Sequence, residues 1–303
     1  MTRNLLEVDD LDPARLAAIL ERAVAWKAEP ASCPAVLAGH AVAALFEKPS
    51  ARTRVSVEVA VSTLGGHPIY IRPDEVGLDT RETVEDVART LAGTCRVIAA
   101  RVFAHTTLER MAAVVDVPVV NLLSDTGHPA QALADVLTIH EHFGALEGRR
   151  VAFVGDGNNV ATSLAFAAAL TGMEFVVASP AGFELDPEVA ARARNLGGQV
   201  EVASDPYDAV RDADVVYTDV WTSMGQEEEQ AARRRAFAGW TVDAALMKAA
   251  GDDAVFLHCL PAHRGEEVAA EVIDGPQSLV WAQAANRMHS LRALLVDLVE
   301  AGT

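Results

Sequence analysis

Cysteine is scarce in this chain. Cys33, Cys95 and Cys259 are scattered through 303 residues and never form a C-x-x-C pair. An odd, dilute set excludes a disulfide framework and fits free thiols in a reducing compartment. Basic residues are also few, 25 against 43 acidic, which leaves a formal net charge of -18. A surface of that sign repels polyanions and argues against nucleic acid or an anionic membrane as a partner. No apolar run reaches the roughly 18 residues a membrane span needs. The opening stretch MTRNLLEVDDLDPARLAAIL carries acids where a secretion signal would start basic. These absences together point to a cytoplasmic protein. Aromatics supply only 5% of residues, while 50% are hydrophobic, the hydrophobic share being rich in Ala, Val and Leu. That mixture suits helices packed on buried parallel strands better than an antiparallel sandwich.

There is no internal repeat, low-complexity tract or Gly/Ser linker. Short apolar runs alternate instead with amphipathic stretches. AVAALF (41–46), HPIYI (67–71), RVIAA (96–100) and PVVNL (118–122) read as buried strands, with VSVEVAVSTL, ETVEDVARTL and TTLERMAAV as helices between them. The cycle restarts at RRVAFVG (149–155) and continues through EFVVAS, QVEVA, DVVYT, AVFLHC and SLVWA, all read as strands. This order predicts an α/β protein of two doubly wound domains with parallel sheets. The long helix containing Ala130–His142 separates the two series. The expected division is 1–135 plus 285–303 for one domain and 136–284 for the other. In such folds ligands sit at the carboxyl ends of the strands.

Directly after the first strand, FEKPSARTRVSVE puts Ser50, Arg52, Thr53 and Arg54 at the entrance of a helix, whose unsatisfied N–H groups favour an anion. The hydroxyls of Ser50 and Thr53 and the forked guanidinium of Arg52 complete a phosphate site. The plainer alternative is a capped helix with two solvent-facing arginines. Arg101 follows the strand at 96–100. His128 and Gln131 flank Pro129 at the start of the helix after PVVNL, where both can donate to a carbonyl oxygen or serve the fold alone.

In the second series, FVGDGNNVATSL invites a dinucleotide reading, since Gly155 and Gly157 lie between a strand and a helix. Val160 stands at the third glycine position, and EFVVAS ends at Ser179 without the acid that would hold a ribose hydroxyl, so no nicotinamide or flavin cofactor is expected. Asp219 ends the strand in DVVYTDVWTSMGQEEE, placed either to pair with a substrate ammonium or to make a structural cap or ion pair. His258, Cys259 and His263 in AVFLHCLPAHRGEEV match no common zinc spacing and lack a fourth ligand, so no metal is expected.

These segments together resemble the ornithine carbamoyltransferase family. FEKPSARTR is similar to its F-x-K-x-S-T-R-T-R phosphate motif, and HPAQALADVLT to H-P-x-Q-x-L-A-D-x-x-T. GDGNNV, DVWTSMGQE, HCLPAHRGEEV and WAQAANRMHS match in the same order over nearly the whole chain. The resemblance implies carbamoyl transfer from carbamoyl phosphate to L-ornithine in arginine biosynthesis, or the reverse, with no cofactor or metal. It implies a homotrimer or an assembly of trimers, and a last helix that packs back on the first domain. Ser50, the backbone of Ala51, Arg52, Thr53, Arg101, His128, Gln131 and Arg287 would hold carbamoyl phosphate. Asn159, Asp219, Ser223 and Met224 would hold the ornithine head group, with Cys259 and Leu260 beside its reactive amine. Thr53, Arg101, His128 and Cys259 would carry the chemistry. Three positions depart from the pattern. Ala51 replaces a Thr, Ala130 lies between Pro and Gln where Cys or Thr is common, and the family's loop glutamine falls near Gly77, where Arg81 is the nearby charge.

Overall fold

The apolar runs pair side by side into two separate parallel sheets. A computed structural model describes residues 4–222 and 227–301. The chain divides into two units, Met1–Leu137 with Ala285–Thr303 and Thr138–Ala284.

The first unit begins with α1 (Pro13–Ala28) and β1 (Ala41–Phe46), followed by α2 (Ala51–Thr63), β2 (His67–Ile71) and the single turn α3 (Pro73–Val76). Next come α4 (Val84–Ala92), β3 (Cys95–Arg101), α5 (His105–Ala112), β4 (Val119–Leu123) and the start of α6 (Pro129–Phe143). The sheet order is β2-β1-β3-β4, all parallel. β1 and β3 are buried almost throughout, as continuous Ala/Val/Ile/Leu runs require when helices cover both faces. β2 alternates between exposed and half-buried residues and carries Pro68, which suits a sheet edge. One face of the sheet, through Ala43, Leu45, Ile98 and Ala100, packs on Val84, Val87 and Ala88 of α4 and Leu108 and Met111 of α5.

The second unit runs β5 (Arg150–Val154), α7 (Asn159–Thr171), β6 (Glu174–Ala178), α8 (Pro187–Asn195), β7 (Gln199–Ala203), α9 (Pro206–Val210) and β8 (Val215–Thr218). It continues with α10 (Gln230–Ala236), α11 (Ala244–Ala250), β9 (Val255–His258), α12 (Ala270–Ile273) and the start of α13 (Val280–Ala301). Its sheet order is β7-β6-β5-β8-β9, again parallel. Ala152, Val154, Val216 and Phe256 pack on Leu246 and Met247 of α11 and on Val272 and Ile273. Side-chain caps start most of these helices: Asp12 for α1, Ser50 for α2, Thr83 for α4, Asn158 for α7 and Asp243 for α11. Each such cap satisfies backbone N–H groups that the helix itself cannot pair.

One expected strand is wrong. SLVWA (278–282) contributes a single bridge, Ser278 to Phe256, and then becomes the first turn of α13. Val280 and Gln283 are buried while Trp281 is 61% exposed. That is the three-residue spacing of a helix face, and a five-residue apolar run does not distinguish it from a strand. The last helix returns to the first unit, as expected. No helix among the described residues is long and apolar enough to cross a membrane.

Candidate active site

Each sheet reverses its winding direction at one point. In the first unit this lies between β1 and β3, and in the second between β5 and β8. The crevice outside the strand ends at such a point is where open α/β sheets bind ligands. Ser50, Arg52, Thr53 and Arg101 lie at or just after the ends of β1 and β3, and Asn159 and Asp219 just after the ends of β5 and β8.

In the first unit, Phe46 and Arg101 are register partners at the ends of β1 and β3, and the Glu47 N–H donates to the Arg101 carbonyl at 2.8 Å. Ser50 caps α2, with its Oγ 3.0 Å from Thr53 Oγ1. Arg287 of α13 donates from Nη2 to Thr53 Oγ1 at 2.6 Å and from Nη1 to Gln131 Oε1. Gln131 in turn donates from Nε2 to the fully buried Asp135 at 2.7 Å. Gln131 thus keeps one amide N–H for a ligand, and Asp135 fixes which way the amide points. Arg52, half-buried, makes no side-chain hydrogen bond or ion pair among the described residues, whereas Arg54 pairs with Glu58 at 2.7 Å and lies over the Tyr70 ring. Arg54 thus fits the solvent-facing alternative, while Arg52 is the less exposed of the two. Lys48 adds another cation. Burial, then the neighbouring Arg101, lower its pKa from the ordinary value, against Asp125 and Glu47, which raise it.

His128 accepts the first helical N–H bonds of α6 on its carbonyl, from Gln131 and Ala132. Its ring is buried, and burial followed by the guanidiniums of Arg287 and Arg101 holds its pKa well below the ordinary value. A neutral imidazole beside two arginines can donate a hydrogen bond to a carbonyl without adding a third repelling charge. A stability consequence follows. Below about pH 6.5 the unfolded chain's imidazole binds a proton that folded His128 refuses. Stability therefore falls on acidification from about pH 6.5 down to the depressed folded value. Urea unfolding at a series of pH values should show a flatter slope for His128→Asn between pH 7 and 5, by up to about 1.4 kcal/mol per pH unit. Equal slopes would mean that folded His128 takes up its proton normally.

In the second unit, Asp219 follows β8 and is 5% exposed. Its Oδ2 accepts from Asn158 Nδ2 at 2.9 Å, and its Oδ1 from the Val220 N–H at 2.8 Å and Cys259 Sγ at 2.9 Å. Asn158 cannot turn its amide over, because its Oδ1 caps α7 through the N–H groups of Val160 and Ala161. Cys259 follows β9, and Leu260 beyond it has φ +58°, a left-handed conformation that costs a non-glycine residue about 1–3 kcal/mol. His258 holds it there. Its Nδ1 accepts the Leu260 N–H at 2.9 Å, so its proton sits on Nε2, 3.2 Å from the fully buried Glu267. Ligand-type atoms of Asp219, His258 and Cys259 lie within 4.8 Å of one another. The bonds just described already engage all three, so the group is a hydrogen-bond network in which the backbone around Cys259 and Leu260 is set.

Asn159 is the first residue of α7 and half-buried. Ser223 and Met224 lie outside the described residues. Gly157 has a role unrelated to nucleotides. A Cβ there would sit 2.3 Å from the Leu185 nitrogen and 2.5 Å from the Glu184 carbonyl carbon, and the Gly157 N–H donates to the Phe183 carbonyl at 2.8 Å. The glycine serves a close backbone-to-backbone contact with the segment 183–185.

A family model described as the carbamoyl-P binding domain of aspartate/ornithine carbamoyltransferase matches residues 3–141, and one described as the Asp/Orn binding domain matches 147–298. The chain belongs to the aspartate/ornithine carbamoyltransferase family. It is 53% identical to the ornithine carbamoyltransferase of Acidothermus cellulolyticus, covering 99% of this chain and 98% of that one. It is 47% identical to that of Methanoculleus marisnigri, over 100% and 98%. Among solved structures, ornithine carbamoyltransferase from Thermus thermophilus superposes with a TM-score of 0.91 at 45% identity, covering 99% of each chain. That from Pyrococcus furiosus gives 0.92 at 46%, over 97% and 96%.

Within this carbamoyltransferase chain, several residues of the two networks lie inside the motifs quoted above, yet the sequence assigned them no individual role. Asp135 and Glu267 are acids whose role depends on partners four and nine residues away that turn inward. Asn158 reads as a helix cap, and nothing local says that its other end grips Asp219. His258 stood out only as a metal candidate, and its actual partner, Glu267, lies in the GEEV run that looks like plain surface.

Proposed function

We propose that this protein transfers the carbamoyl group of carbamoyl phosphate to the side-chain amine of L-ornithine, giving L-citrulline and phosphate in arginine biosynthesis or, in reverse, arginine catabolism. The observation that carries the reading is the pair of strand-end clusters: buried arginines around a neutral imidazole in one unit, and a carboxylate bonded to a cysteine in the other. The first suits a doubly charged phosphate joined to a carbonyl, and the second suits an amino acid's ammonium group.

Carbamoyl phosphate places its phosphate at the start of α2, on Ser50, the Ala51 N–H, Arg52 and Thr53, with Arg101 and Arg287 adding charge. Ala51 lacks the hydroxyl of Thr but keeps the backbone N–H that an anion uses. Thr53, Arg101 and His128 point donors at the carbonyl oxygen, where negative charge grows as the amine attacks. Removing one such donor typically costs about a hundred- to a thousandfold in rate. Gln131, its amide aimed by Arg287 and Asp135, offers its remaining N–H to the carbamoyl group. Asp219 takes the α-ammonium of ornithine, and Asn159, Ser223 and Met224 take the rest of the head group. Cys259 Sγ and the Leu260 carbonyl, aimed by its left-handed backbone, orient the reactive amine.

An alkylamine with a pKa near roughly 10 must lose a proton before it attacks, and cationic surroundings with little water favour that loss. The carbonyl carbon gains the C–N bond and loses its bond to the phosphate oxygen, and the departing phosphate accepts the second amine proton. We further place the protein in the cytoplasm as a homotrimer or an assembly of trimers, in keeping with three free cysteines.

An acceptor panel of ornithine, putrescine, acetylornithine and aspartate, with carbamoyl phosphate as donor, tests the assignment. Ornithine should give the highest kcat/KM, by at least about a hundredfold over putrescine, since loss of the head group strands Asp219 without its partner. Failure to form citrulline, or equal use of putrescine, would defeat it.

A further inference from the structure

Arg233 begins the arginine run 233–235, yet it behaves unlike its neighbours. Arg234 pairs with Glu266 at the surface and Arg235 is exposed, whereas the Arg233 side chain is only 9% exposed. Its Nη1 donates to Asp156 Oδ2 at 2.7 Å and also to the Trp221 carbonyl at 3.0 Å. Its Nε donates to Glu229 Oε2 at 2.9 Å, and its guanidinium lies 4.9 Å from the Phe183 ring centroid. One side chain on α10 therefore reaches the loops after β5, β6 and β8.

The placement of two of these contacts is informative. Asp156 stands two residues before Asn158, and Trp221 two residues after Asp219. The Asn158–Asp219 bond and the Asp156–Arg233–Trp221 bridge thus join the same two loops at neighbouring points. Trp221 stacks on Phe237 at 5.5 Å, and Phe237 meets Phe183 with tilted rings at 4.9 Å, which seats α10 against these loops.

We propose that Arg233 is a positioning residue for the acceptor: it holds the loops after β5 and β8 at the separation at which Asn158 fixes Asp219, and so sets ornithine affinity without touching ornithine. The proposal rests on the reading of Asp219 as the partner of the ornithine ammonium. A guanidinium is suited to the task because its planar fork serves a carboxylate, a carbonyl and a second carboxylate at once, which an ammonium cannot do in one geometry. Displacing a binding group by about 1 Å is enough to cost on the order of a hundredfold.

The experiment compares Arg233→Gln, Arg233→Lys, Asp156→Asn, the Arg233→Gln/Asp156→Asn double variant and Asp219→Asn, by steady-state kinetics in both substrates and by thermal unfolding. Arg233→Gln should raise the KM for ornithine about ten- to a hundredfold while the KM for carbamoyl phosphate stays within about twofold. Arg233→Lys should recover part of the loss, and the double variant should be less impaired than the two single effects multiplied, because removing both partners leaves no stranded charge. A lowered Tm with an unchanged ornithine KM would make Arg233 a mere anchor for α10 and overturn the proposal. So would strictly multiplicative effects. If Arg233→Gln misfolds, Arg233→Lys and Asp156→Asn carry the same KM comparison. Should Asp219→Asn leave ornithine KM and kcat untouched, the reading of Asp219 falls; should it be impaired while Arg233→Gln is normal, only the role of Arg233 falls.

Discussion

Replacing Arg52 by alanine is expected to lower kcat/KM by at least about a thousandfold while the protein remains folded. Arg52 lies in the first turn of α2, half-buried, with no side-chain partner among the described residues. Its removal strands no buried group, and stability should change by no more than about 0.5 kcal/mol, as at ordinary surface positions. Arg101 would be a poorer choice. It is 6% exposed at the end of β3, so its loss mixes chemistry with unfolding. Far-ultraviolet circular dichroism and thermal unfolding should be unchanged in Arg52→Ala, and binding of a phosphonate analogue of the donor should weaken with turnover. Near-normal turnover would remove the phosphate assignment from the start of α2.

The second large effect concerns Asp219→Asn. The change is nearly isosteric, yet all three partners of the carboxylate are donors. An asparagine must turn its own NH₂ toward Asn158, or toward Val220 N–H and Cys259. Asn158 cannot adapt by turning its oxygen round, because α7 is capped by it. A buried donor facing a donor costs about 1–3 kcal/mol, and the negative charge offered to the ornithine ammonium is lost as well. The expected outcome is a rise of at least about a hundredfold in ornithine KM or an equivalent loss of kcat, with carbamoyl phosphate KM little changed. Product-formation assays over a wide ornithine range would show it, and a wild-type profile would exclude Asp219 from the acceptor site.

Much of the architecture was legible because parallel sheets covered on both faces demand continuous apolar runs, and β1, β3, β5 and β8 have them. The strand-end rule then singles out Ser50, Arg101, His128, Asp219 and Cys259 from the sequence. Reading failed where one local pattern serves two structures, as in SLVWA. It also failed wherever a residue's role depends on a distant partner. Arg233 sits in a run of three arginines, and only the packing of α10 selects which one turns in. The same holds for Glu267, one of two adjacent glutamates. Global charge was silent too: an excess of 18 negative charges coexists with a cluster holding Arg101, Arg287 and Lys48, since short-range bonds within a buried cluster outweigh a screened surface field.

The turn after β5 shows how a shared scaffold can close off a use. Where other strand–glycine–helix turns leave an open seat for a diphosphate, this one is occupied by its own backbone at 183–185. Installing glycine at 160 and an acid at 179 would restore the fingerprint on paper and still yield no nucleotide site. An engineer seeking one would first have to reroute the segment that follows β6, and with it Phe183, the ring against which Arg233 rests.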